Sequence, residues 1–130
     1  MSNQNNIQKN LEDYCCAIVN PDPEWPHGVH RAVECIRDHL FDPKLSVRWM
    51  KKQCHLNGNN FSGKFKYYVG MTPKQYWLDH RIKLAKKLIR EDISITMIAL
   101  GLGFNSLSAF TMLFKKYEGC SPTDYREEKC

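Results

Sequence analysis

Apolar residues recur at helical spacing along most of the chain, and part of that pattern is written twice. Val29, Val33, Ile36 and Leu40 fall at i, i+4, i+7 and i+11, one apolar stripe on a helix predicted from about Gly28 to Phe41 and stopped by Asp42-Pro43. Leu45-Ser46-Val47 with Met50 is then matched 48 positions later by Ile93-Ser94-Ile95 with Ile98. In both copies Ser is the predicted N-cap, and the apolar residues before it and four after it close the helix start as a hydrophobic staple. Leu56-Asn57 and Phe104-Asn105 keep the same offset, an apolar turn residue followed by an Asn predicted to cap a second helix. Beyond them the offset is 49, with one extra residue near Ser106, and Phe61/Phe110 and Phe65/Phe114 face inward from that second helix.

The repeat continues as FKYYVGMTPKQY at 65–76 and FKKYEGCSPTDY at 114–125. Gly70 and Gly119 stop the second helix of each copy, and Thr72-Pro73 and Ser121-Pro122 place an N-cap before a proline at the first position of another helix. One copy could be chance, but two in register are a duplicated unit: helix, short turn, helix, then a joint to the next helix.

The helix after the first joint is long, Pro73 to about Arg90. Tyr76, Trp77, Leu84, Ala85, Leu88 and Ile89 make its predicted buried face, leaving Lys74, Arg81, Lys83, Lys86, Lys87 and Arg90 to solvent or phosphates. Helical periodicity runs through every segment and no strand pattern is found, so the fold class is all-α. The organisation expected is a polar N-terminal tail over 1–27, a first helix-turn-helix subdomain over 28–72, a linker helix over 73–90 and a second helix-turn-helix subdomain over 91–130. The tail ends in three prolines within six residues, which cannot propagate a helix, although 11–19 could add one turn.

Composition excludes several classes. A hydrophobic content of 42% with 25% charged residues is that of a globular domain. No apolar run approaches the roughly 18 residues that span a bilayer, and no basic-then-apolar signal peptide opens the chain, so no membrane partner is expected and the cytoplasm is the expected compartment. Cys15, Cys16, Cys35, Cys54, Cys120 and Cys130 form no C-x-x-C pair and read as reduced structural cysteines. His27, His30, Cys35 and His39 have near-helical spacing, yet no second cluster completes a metal site. No metal and no cofactor are expected.

The net charge is +5, and its distribution says more than its total. Residues 43–90 hold twelve Lys/Arg against Asp79 alone, a net of +11, while residues 1–26 carry −3, 27–42 carry −1 and 91–130 carry −2. A solvated charged face usually mixes signs. This one points to a polyanion.

In a helix-turn-helix the second helix enters the DNA major groove while the first braces on the backbone. An 18-residue connector spans roughly 27 Å, enough to set two such helices about one DNA turn apart. The linker P-x-x-Y-W-x-x-x-R-I-x-x-A-x-x-L-I from Pro73 to Ile89, and I-x-x-I-A-x-x-x-G-F-N-S-x-S-A-F-x-x-x-F-K-K-x-x-G-x-S-P-x-x-Y-R from Ile95 to Arg126, are long and specific. Over about residues 29–126 the chain resembles the DNA-binding domain of the AraC/XylS family of bacterial transcription regulators. The resemblance implies a seven-helix, two-lobed, homeodomain-like fold and transcription regulation from double-stranded promoter DNA in the bacterial nucleoid. It also implies two recognition helices in successive major grooves of a monomer, and contact with RNA polymerase, usually as an activator. The short segment before the first helix suits the stand-alone, MarA-like type or an excised domain.

By position in the family pattern, the base-contacting residues are Asn59, Asn60, Ser62 and Gly63 in the first unit and Leu107, Ser108, Thr111 and Met112 in the second. Gly63 and Met112 stand where relatives often carry arginine, whose bidentate grip on guanine is the commonest specific contact. The phosphate contacts expected are Lys51, Lys52, Asn57, Lys64, Lys66, Lys83, Lys86, Lys87, Asn105, Ser106 and Lys115. Gly58 and Gly63 each weaken the first recognition helix by about 1 kcal/mol relative to Ala. The competing reading is a protein-interaction module in which only the first unit binds DNA and the second docks a partner through Leu107 and Met112. An enzyme is not expected, because no Ser-His-Asp order, paired carboxylates or phosphate loop occurs and the tail offers only Cys15 and Cys16 toward a four-cysteine methyl-acceptor site.

Overall fold

The computed structural model describes residues 13–14, 22–56 and 60–129. Seven helices follow among them: α1 His27–Asp38, α2 Val47–Gln53, α3 Phe61–Val69, α4 Pro73–Ile89, α5 Ile95–Gly101, α6 Leu107–Glu118 and α7 Pro122–Arg126. There is no strand among the described residues, as the all-α reading requires.

Local chemistry sets most boundaries. Ser46 accepts a hydrogen bond from the Trp49 N–H and Ser94 from the Met97 N–H, so both brace helices start where the repeat placed them. Thr72 and Gln75 form a full capping box at the head of α4, and Ser121 caps α7. Gly70 and Gly119 end α3 and α6 with φ of 95° and 83°, the left-handed region where a side chain is strained. Two caps differ from expectation. Ser106, not Asn105, caps α6 by accepting from the Ala109 N–H, because its extended backbone aims the hydroxyl into the first turn. Asn60 stands at the N-cap of α3 without a side-chain cap bond. Asn57, Gly58 and Asn59 lie outside the described residues, as does most of the 11–19 segment.

Two apolar clusters form. Val29, Val33, Ile36, Leu40, Met50, Phe65 and Trp77 belong to one, and Leu84, Leu88, Ile98, Leu102, Phe110 and Phe114 to the other. The linker helix α4 contributes to both, with Trp77 in the first and Ile82 to Ile89 in the second. Phe61, Phe65, Phe110 and Phe114 are all buried, so the repeated pair one helical turn apart is a packing device in each unit. α1 begins at His27 rather than Gly28 and ends at Asp38 rather than Phe41; Leu40 is buried from the turn beyond it.

Arg81, expected at the surface, is 5% exposed. Its Nε donates to the Leu40 carbonyl at 2.8 Å, Nη2 to that of Asp42 at 3.0 Å and Nη1 to that of Gly103 at 3.4 Å, and its guanidinium carbon lies 5.5 Å from the Phe104 ring centroid. Burial pulls its pKa down to about 10, with Asp42 opposing, so it stays charged at neutrality. Helical spacing misassigned it because three carbonyls that no helix satisfies converge on that point of α4. Gly103 must be glycine there: its φ is +95° and a Cβ would meet the Phe41 carbonyl oxygen at 2.7 Å.

The cysteine reading also needs correction. Cys35 on α1 and Cys54 at the end of α2 are joined by a disulfide, and Cys120 is disulfide-bonded as well. Spacing alone could not show this, since the pairing arises where the core faces of two successive helices meet.

Replacing Arg81 with Met takes the side-chain donor from the buried carbonyls of Leu40 and Gly103, while the Asp42 carbonyl keeps the Leu45 N–H; urea unfolding should show a loss of about 3 kcal/mol or more. His80 on α4 hydrogen-bonds the Tyr14 hydroxyl at 2.7 Å, and burial, then Lys83, hold its pKa below 6.5 against the pull of Asp79. The folded state therefore favours neutral His80; that stabilisation is complete above 6.5 and falls as pH drops through 6.5 toward the folded value. His80→Asn should flatten the decline of the urea midpoint across that window.

Candidate nucleic-acid interface

Each unit turns one face of its second helix outward. On α3 the residues Ser62, Gly63, Lys64, Lys66, Tyr67 and Tyr68 are exposed, opposite the Phe61/Phe65 pair. On α6 the residues Leu107, Ser108, Ala109, Met112, Lys115 and Lys116 are exposed, opposite Phe110/Phe114, and Thr111 is half-buried. The 49-residue offset pairs Ser62 with Thr111, Gly63 with Met112 and Lys66 with Lys115, so equivalent positions of the two helices face outward together. Met112 is 75% exposed, an apolar side chain left in water on that outward face.

The site residues named from sequence are mostly where a ligand could reach them. Asn60 is exposed, and its side chain lies across Gly63, where a Cβ would collide with Asn60 Oδ1. That absence of a side chain at 63 gives the amide room to lie over the helix. Lys51 and Lys52 are exposed on the last turn of α2, and Lys64, Lys66, Lys87, Asn105 and Lys115 are exposed too. Lys83 and Lys86 are not idle cations. Lys83 Nζ pairs with Asp79 at 2.9 Å, and Lys86 Nζ reaches Glu118 on α6 at 3.1 Å. Such surface pairs contribute at most about 1 kcal/mol and exchange partners readily. Ser106 is exposed, but its hydroxyl already serves the α6 cap. Asn57 and Asn59 lie outside the described residues.

Sequence reasoning missed two features of the first unit. Tyr67 is 81% exposed, four residues after Gly63 and thus on the same helix face; the repeat hid it, because its counterpart Lys116 is an ordinary surface residue. A cavity of about 360 Å³ also opens beside the first turn of α1 and the head of α3; among the described residues its lining includes His27, Arg31, His55 and Lys64 and no carboxylate. Arg31 Nη2 donates to the Cys54 carbonyl at 2.7 Å, which ties α1 to the end of α2. His55, next in the chain, has a φ of 54°, a left-handed turn residue that starts the connection toward α3. No helix among the described residues is long and apolar enough to cross a membrane.

Comparison with known proteins agrees with this architecture. The family described as "Helix-turn-helix domain" matches residues 51–128. A transcriptional regulatory protein of Bacillus subtilis, YesN, is 33% identical over 112 residues, covering 79% of this chain and 30% of its own length. The chain spans about a third of the length of the curated relatives it matches. Among solved structures, the C-terminal domain of AraT, a response regulator from Geobacillus stearothermophilus, superposes with a TM-score of 0.75 at 24% identity, covering 81% of this chain and 88% of that one. The DNA-binding domain of AdpA, solved in complex with a target DNA, gives a TM-score of 0.69 at 24% identity, covering 79% and 93%. At that identity these two show a shared fold. With two helix-turn-helix units, the linker between them and the family match over 51–128, the chain belongs to the AraC-type helix-turn-helix family of DNA-binding transcriptional regulators.

Proposed function

We propose that this chain binds double-stranded promoter DNA sequence-specifically as a monomer, lays α3 and α6 into successive major grooves, and activates transcription by contact with RNA polymerase on the bacterial nucleoid. The observation that carries this reading is the repetition itself. The same unit occurs twice, each with an inward Phe pair and an outward second-helix face, and one 17-residue helix joins them. At about 1.5 Å per residue that connector spans roughly 26 Å, comparable to one DNA turn once the flanking helices are added. Residues 28–72 and 91–130 are then the two reading lobes, 73–90 the spacer and 1–27 a tail.

Asn60, with Asn59 before it, reads adenine, and Ser62 and Gly63 let the backbone of α3 approach the base edges. Leu107 and Met112 touch thymine methyls, while Ser108 and Thr111 offer hydroxyls. Lys51, Lys52, Lys64, Lys66, Lys87 and Lys115 take phosphates, as do Asn57 and, at the head of α6, Asn105 and the Ser106 backbone. Lys83 and Lys86 exchange their carboxylates for phosphates on binding. The carboxylate-free cavity beside Arg31 and Lys64 suits a backbone phosphate. Because the first lobe and linker hold the +11 and the second lobe is slightly acidic, the first lobe supplies most of the electrostatic attraction.

Selection of binding sites from a random duplex library at near-physiological salt tests the whole reading. Two short enriched blocks centred about 10 base pairs apart are expected. A single block would remove α6 as a reader and favour its docking a protein partner; salt-sensitive binding with no enrichment would overturn sequence specificity. Lys66→Ala should lower the slope of log affinity against log salt by about 0.9, leaving the selected sequence unchanged. An unaltered slope would take Lys66 off the interface.

A further inference from the structure

Beneath the first recognition helix lies a side-chain cluster that DNA binding does not use. Cys35 is buried on α1, Cys54 is the C-cap of α2, and His39 is the C-cap of α1. The two sulfurs and a ring nitrogen of His39 all lie within 4.8 Å of one another. His39 is half-buried and packs edge-on against Trp49 at 4.8 Å, so its ring is held in place with one side open toward solvent. The disulfide closes this cluster, but in a reducing compartment such a bond opens to two thiols. Two thiolates and an imidazole are the ligand chemistry of a thiophilic d10 metal ion.

We propose that the reduced chain binds a zinc ion through Cys35, Cys54 and His39, with the fourth position open to water, and that the disulfide and the metal are alternative ways of closing the same joint. Sulfurs sharing a tetrahedral zinc stand roughly 3.8 Å apart, as zinc–sulfur bonds of about 2.3 Å require. The Cα atoms of Cys35 and Cys54 are 6.3 Å apart, so rotation about their side-chain bonds can supply that separation with the helices in place. The second unit forms the same helix pair without a cysteine at the equivalent position. The counterpart of Cys54 in the second unit, 48 residues on, is Leu102, a fully buried residue that can ligate no metal. Only the first unit has α1 laid across it to bring Cys35 and His39 to that spot.

Interconversion balances with a peroxide as oxidant. The two zinc-bound thiolates give up two electrons and form the Cys35–Cys54 bond; the peroxide O–O bond takes the electrons and, with two protons, leaves as two molecules of water or as alcohol and water; zinc departs as the divalent ion. Either closure braces α1 against the end of α2, the point from which the chain turns toward α3.

The test uses the full chain, reduced and kept anaerobic, titrated with Zn²⁺ against a chromophoric chelator and with Co²⁺ for thiolate-to-metal charge-transfer absorption. One ion per chain is expected, lost in Cys35→Ser and in Cys54→Ser and retained in Cys120→Ser. His39→Phe keeps an aromatic ring against Trp49 while removing the nitrogen ligand, and should surrender the ion to a chelator concentration that the unaltered chain withstands. Adding hydrogen peroxide to the zinc-loaded chain should release the ion and yield, on peptide mapping, Cys35 linked to Cys54. Failure of the reduced chain to bind zinc, or equal retention by the His39→Phe and cysteine variants, would overturn the site. Zinc release without the Cys35–Cys54 link would overturn the exchange.

Discussion

A single buried cation holds the two halves of the molecule in register. Arg81 projects from the middle of the linker helix and is shared among the carbonyls of Leu40 and Asp42 on one side and Gly103 on the other, with the Phe104 ring against its guanidinium. Burying a charge is costly unless its donors are satisfied, and here the partners are backbone oxygens near helix ends, which themselves lack intrahelical donors. The two requirements cancel. Because the carbonyls belong to different units, the satisfied geometry exists only for one mutual placement of those segments.

The same device recurs at smaller scale. Arg31 reaches from α1 to the Cys54 carbonyl, and Arg126 reaches from α7 to the carbonyls of Ile89, Glu91 and Ile93 at the end of the linker. Arginine suits this task because its planar fork offers several fixed donors at once, where lysine would offer a single point charge. Apolar packing supplies the driving force for each unit, and arginine-to-carbonyl bonds define how helix ends are joined. Exposed side chains on α3 and α6 are only as well placed as the scaffold beneath them.

The two units share a plan but are chemically unequal. The first carries the excess of lysine, an uncapped Asn60 lying over Gly63, exposed Tyr67, and the Cys35–Cys54–His39 cluster. The second is slightly acidic overall and presents Leu107 and Met112 to solvent. The repeat keeps the buried positions apolar, with Phe61/Phe110 and Phe65/Phe114 identical, while outward positions such as Gly63/Met112 and Tyr67/Lys116 differ in character. The lysines of the linker stand between these extremes, with Lys86 bridging to Glu118 on α6.

Much of this was legible from residue order alone, because it rests on local rules. Serine and threonine caps, glycine stops, proline starts and the paired phenylalanines act within a few residues of themselves, and the repeat confirmed each by a second instance. The outward faces of α3 and α6 followed from the same periodicity, so Ser62, Gly63, Ser108 and Met112 could be placed without coordinates. Arg81, the Cys35–Cys54 pair, Ser106 as the α6 cap and the exposed Tyr67 could not. A helical wheel assigns a cation to solvent, and only the folded chain brings three carbonyls from distant turns around it. Likewise, whether two cysteines 19 residues apart meet depends on the crossing of α1 over α2, a relation between elements that no local spacing encodes.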